Sequence, residues 1–115
     1  MNTVRLAVKS FDDVLGDVAM AWKTREATTS RISFDSVEKL WKTISPKKMD
    51  ILKVMTGAGE MGIREVSRAV ERDVSAVHRD LQVLIVAGIV DRTDDGKVVF
   101  PYDEIHVDFT LRGVA

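Results

Sequence analysis

No cysteine occurs in these 115 residues, so neither a disulfide framework nor a thiolate zinc centre can be built. The fold must rest on packing alone, and an intracellular, cytoplasmic location is the expectation. No segment approaches the ~18 unbroken apolar residues that a membrane span needs, and the first residues do not follow a basic stretch with a long apolar run. Secretion and membrane insertion are therefore not expected. No internal repeat and no low-complexity linker appear. Charge of one sign is missing as well: 17 Lys and Arg stand against 18 Asp and Glu, a formal net charge of −1. For a nucleic-acid partner this is unfavourable, because phosphate attraction is the largest sequence-independent part of DNA affinity. A basic surface would have to be local.

What is present is an ordinary globular composition, with 45% hydrophobic and 30% charged residues, in a chain long enough for one compact core. From Thr3 to Lys9, apolar Val4, Leu6 and Val8 alternate with Thr3, Arg5, Ala7 and Lys9, the period of a half-buried strand. Ser10 is a cap candidate for a helix to about Arg25 on Phe11, Val14, Leu15, Val18 and Trp22. The Thr28-Thr29-Ser30 cluster breaks it, Arg31 to Phe34 reads as a short strand, and Ser36 caps a helix carrying Val37, Leu40, Trp41 and Ile44. Both tryptophans fall in apolar stripes, where core packing or a dimer contact is the natural reading.

Ser45-Pro46 restarts a helix with Met49, Leu52 and Met55 inward, since proline at the first helical position loses no hydrogen bond. The glycine-rich stretch Gly57 to Gly62 turns the chain into a helix through Ile63, Val66 and Val70. A further helix follows, with Val74, Val77, Leu81, Leu84 and Ile85 on about a third of its wheel and Gly88 at its left-handed C-terminus. Ile89-Val90 and Val98 to Phe100 flank a Thr93-Asp94-Asp95-Gly96 turn, which predicts a hairpin. Ile105, Val107, Phe109 and Leu111 then alternate with polar residues as a last strand.

Three helices from about Pro46 to Ala87, a short turn between the last two and a hairpin directly after are the ordered parts of a winged helix-turn-helix. The expected fold is α+β: an N-terminal β-α-β-α extension over residues 1–44 for packing or dimerisation, and a winged unit with a C-terminal strand over 45–115. With Val77, Leu81 and Leu84 buried, Ser75, Ala76, Arg79, Val83 and Val86 face outward, and His78, Asp80 and Gln82 lie at the flanks. Arginine pairs in bidentate fashion with guanine and glutamine with adenine, so Arg79 and Gln82 are base-reading candidates, with Ser75, Ala76 and His78 beside them. Arg72 at the helix entrance, Arg92 and Lys97 in the hairpin, and Lys47 and Lys48 in the run from Lys42 to Lys53 are candidates for phosphate contacts. The lysines fit an ordinary solvated helix face equally well.

The stretch SAVHRDLQVLIVAGIVDRTDDGKVVF, residues 75–100, resembles the recognition helix and wing of small prokaryotic winged-helix transcriptional regulators of the MarR and ArsR type. The longer stretch from IREVSRAVERDVSAVHRDL to FPYDEIHVDF is similar to short archaeal and bacterial DNA-binding proteins, some paired with toxins. The resemblance implies the fold and binding of double-stranded DNA only; the cysteine-based metal sensing of ArsR-type repressors does not carry over. The expected function is transcriptional regulation by repression, and because a single module offers few base contacts, a homodimer built through the N-terminal extension is expected. The other reading is a protein-interaction module such as the antitoxin of a toxin–antitoxin pair.

His78-Arg79-Asp80-Leu81 matches a kinase catalytic string, but the chain lacks the phosphate loop and the Asp-Phe-Gly that accompany it. His78 and Asp80, two apart on a helix, diverge, whereas His106 and Asp108 share the polar side of the last strand, where solvent or a salt link is the natural reading; no metal is assigned to either pair. No nucleophile–base pair stands out, so no catalysis and no cofactor are expected.

Overall fold

The computed structural model describes residues 3–8 and 29–109. The helix expected between Ser10 and Arg25, Trp22 with it, and Leu111 lie outside the described residues. The architecture is α+β, with four helices and two small sheets among the described residues.

Strand β1 (Thr3–Val8) is the centre of a three-stranded sheet, with β2 (Thr29–Phe34) on one side and β5 (Glu104–Asp108) on the other, all parallel. Leu6 is level with Ile32 and Val107, and Arg5 with Arg31 and His106. This corrects the half-buried reading of β1: Ala7, on the side expected to be polar, is buried along with Val4 and Leu6. A central strand of a parallel sheet is covered on both faces, which a two-residue period does not announce. Thr29 and Ser30, expected only to end the preceding helix, are the first residues of β2.

The four helices among the described residues lie between β2 and β5. In α1 (Val37–Thr43) Ser36 caps as expected, its hydroxyl accepting the Lys39 N–H at 3.2 Å. Ser45 does not cap α2 (Pro46–Met55) with its side chain; only its carbonyl is used, by the Met49 N–H at 2.9 Å. Met49 is half-buried rather than central, and Ile51, Leu52 and Met55 form the inner row. Helix α3 (Ile63–Val70) begins at Gly62, whose N–H donates to Glu65 Oε1 at 3.3 Å.

The turn to α4 (Val74–Val86) takes three residues. Glu71 adopts the left-handed region (φ 55°), the Arg72 N–H donates to the Ser67 carbonyl at 3.1 Å, and the Ser67 hydroxyl donates to the Arg72 carbonyl. Asp73 then caps α4 by accepting the Ser75 N–H at 3.0 Å. At the other end Gly88 has φ 83°, and the Ile89 N–H to Leu84 and Gly88 N–H to Ile85 bonds, both 3.0 Å, make a Schellman termination.

The hairpin is narrower than its apolar flanks suggest: β3 (Asp91–Arg92) pairs antiparallel with β4 (Val98–Val99). Ile89 and Val90 precede β3 and are instead buried, because the chain leaving α4 crosses the core before it can pair. Val98 also exchanges both backbone hydrogen bonds with Met61, at 2.8 Å each, tying the hairpin to the entrance of α3. One core joins everything: Val4 and Leu6 of the sheet pack in the same cluster as Leu40, Ile51, Leu52, Met55, Val66, Val77, Leu81, Leu84 and Phe100.

Candidate nucleic-acid interface

Helix α4 is two-sided. Val77, Leu81 and Leu84 are fully buried, so the helix cannot rotate without opening the core. That fixes the outer row: Ser75, His78 and Arg79 are exposed, Ala76 and Gln82 half-buried, and Val83 and Val86 exposed, Val86 to 87%. An open groove runs where the first turns of α3 and α4 meet, lined by Ile63, Arg64, Val74, Ser75, His78 and Arg79. Among the described residues no carboxylate lines it. Arg64, exposed in the first turn of α3, was not a sequence candidate; the signal was its place directly after the turn that aims α3 at the same side as α4.

Arg72 is placed differently from the expectation that it holds a phosphate. Its Nη1 lies 2.8 Å from Asp80 Oδ2, with both side chains about one-fifth exposed (21%). The approach is close but off-axis, so the pair is an ion contact without a well-directed hydrogen bond. The arginine is engaged, and the acid on the flank of α4 is neutralised.

The lysine run does not form one face. Lys47 is exposed, but Lys48 is buried to 9% exposure and its Nζ donates to the Lys42 carbonyl at 2.7 Å. This corrects its reading as a phosphate contact. The cause is local: the amide that would have answered Lys42 from four residues on is the nitrogen of Pro46, which carries no hydrogen. Lys42 itself lies with Lys39 along an apolar groove between α1 and the C-terminal half of α4, beside Gln82, Val83 and Val86. Lys53 borders a different groove, against β5.

In the hairpin, Arg92 and Lys97 are both exposed, and so are Asp91, Asp94 and Asp95. The turn is held by the Thr93 N–H to the Lys97 carbonyl at 2.9 Å and the Lys97 N–H to the Thr93 hydroxyl at 3.0 Å. The Thr93 hydroxyl also donates to Asp95, which holds that carboxyl below its usual pKa. Two cations at the base and three acids around them make the hairpin electrostatically mixed.

The chain belongs to the HVO_A0114 family, whose family model matches residues 43–107, from the end of α1 into β5. No curated protein matches the chain.

Proposed function

We propose that the chain is a winged helix-turn-helix protein that binds double-stranded DNA, placing the N-terminal half of α4 in the major groove, and that it regulates transcription, as a homodimeric repressor that occludes its promoter. The observation that carries this is the groove, lined by no carboxylate among the described residues, in which Arg64, Ser75, His78 and Arg79 meet on the outer side of a helix whose inner row is locked in the core. The order α2, the Met61 bridge, α3, α4 and hairpin supports the winged assignment.

Arg79 then reads guanine, with Ser75 and His78 at base edges or phosphates and Gln82 one turn further along. Arg64, Arg92 and Lys97 hold backbone phosphates and fix the register without reading sequence. One module makes few base contacts, so two copies reading half-sites about one helical turn apart are required for a specific operator.

The test is binding of the purified protein to labelled duplex from its own promoter region at two salt concentrations, with unrelated duplex as competitor. Salt-sensitive binding that resists competitor, with Arg79→Ala costing about 1–3 kcal/mol on the preferred site, is the expected result. Absence of binding at low salt refutes the proposal.

A further inference from the structure

The outer edge of β5 is the least protected part of the fold. Among the described residues no strand pairs with that edge, and Glu104, His106, Val107 and Asp108 are all exposed, Val107 to 38%. An unpaired edge presents a row of backbone donors and acceptors ready to accept another strand. Its apolar row is also incompletely covered. Ile105 and Val107 line an open groove with Ile44, Met49, Leu52 and Lys53, and Trp41, 41% exposed, meets Phe109 edge to face at 5.6 Å between ring centres.

We propose that this edge is a homodimer interface, in which β5 of one copy pairs antiparallel with β5 of a second copy across a two-fold axis and the two three-stranded sheets become one. The charge pattern of the strand selects both the occupant and the register. A two-fold axis makes a strand meet its own copy antiparallel, and faces stay matched only if the axis passes through a residue. Centred on His106, Glu104 of each copy opposes Asp108 of the other, two like-charge pairs. Centred on Ile105, Glu104 opposes His106 twice, but Asp103 falls opposite Val107 and sets an acid in the apolar row on both sides. Centred on Val107, the pairs formed by residues 105–109 are complementary: His106 opposes Asp108 twice, Ile105 opposes Phe109, the residue just beyond β5, twice, and Val107 meets itself. The second copy's apolar side chains then fill the groove beside Met49 and Leu52 and extend the cover over Trp41.

The interface is independent of whether α4 reads DNA, and its test contains no DNA. Sedimentation velocity of the full chain over a wide concentration range is expected to show a reversible monomer–dimer equilibrium. His106→Asp sets acids against acids in both pairs and raises the dimer dissociation constant by about tenfold or more. Combining His106→Asp with Asp108→Lys reverses both charges and restores dimerisation to within a few-fold of the parent. Circular dichroism and the melting temperature establish that each variant is folded, and hydrogen exchange on the parent is expected to show β5 amides gaining protection as the dimer fills. A parent that stays monomeric overturns the proposal. So does a folded His106→Asp that dimerises as well as the parent, a folded double variant that does not recover, or β5 amides whose exchange ignores concentration.

Discussion

Lys48→Met separates a lysine that holds the fold from one that holds DNA. The Lys48 ammonium sits 2.7 Å from the Lys42 carbonyl, near the C-terminal end of α1, where a cation also complements the helix dipole. Pro46 cannot supply the missing donor, so the substitution leaves that carbonyl without its partner. A hydrogen bond to a charged group contributes about 1.5–3 kcal/mol, and relief of the buried charge returns part of it. Methionine keeps most of the aliphatic packing. The net loss is about 1–2 kcal/mol, a fall in melting temperature of roughly 4–8 °C for a domain of this size. Urea denaturation monitored by circular dichroism measures the loss, with an unchanged denaturant slope. DNA affinity of the folded variant and its salt dependence are expected to match the parent. A variant as stable as the parent whose DNA binding is uniformly weaker would refute the capping argument and return Lys48 to the phosphate contacts.

Arg64→Ala is expected to leave stability within about 0.5 kcal/mol of the parent, because the side chain is exposed. It should weaken binding to all duplexes alike and flatten the salt dependence by about one phosphate contact, as read by fluorescence anisotropy. Asp80→Ala frees Arg72 at the entrance of α4 and removes an anion from its flank. Affinity at low salt should rise and the salt dependence steepen, at a stability cost of about 0.5–1.5 kcal/mol for losing a partly buried ion pair. Gly88→Ala meets no atom that would clash with the new methyl group, so its cost is the left-handed backbone alone, about 1–2 kcal/mol in chemical denaturation.

Local patterns carried the helices and left the tertiary pairings dark. Val77, Leu81 and Leu84 recur at helical spacing, Gly88 stands where a left-handed residue ends a helix, and both features are found as read. Strand β5 reads as a strand for the same reason, but nothing in its alternation says that it lies beside β1, about a hundred residues earlier in the chain. Parallel pairing is settled by crossover geometry rather than by the paired residues. The candidate site shows the same division. Exposure of Ser75, His78 and Arg79 follows from the wheel, whereas the fates of Arg72 and Lys48 depend on angles between elements. Arg72 reaches Asp80 only because the turn at Glu71 folds it back along α4, and Lys48 reaches Lys42 only because α2 starts at a proline beside the end of α1.

A net charge of −1 is compatible with a DNA-facing surface because many of the acids near the helices are already occupied. Asp73 caps α4, Glu65 accepts the Gly62 amide at the start of α3, Asp80 faces Arg72, and Asp35 holds Lys39 at 2.9 Å. The last of these ties lowers the Asp35 carboxyl below its ordinary pKa, chiefly through the Lys39 hydrogen bond. Each arrangement gives a carboxylate a fixed partner; the two ion pairs cancel one acid against one cation each, and the two capping acids are offset by the positive helix N-termini that they face. Among the described residues, the grooves beside α4 present Arg64, Arg79 and Lys42 as open cations, a short set suited to a few contacts per copy. So small a set makes affinity depend on the number of copies engaged, since linking two weak sites multiplies their effect without any new contact. A β5-paired dimer supplies that link from a strand that is not part of the helix proposed to meet DNA. It follows that His106→Asp, far from α4 along the chain, should weaken operator binding at low protein concentration and lose that effect as concentration rises.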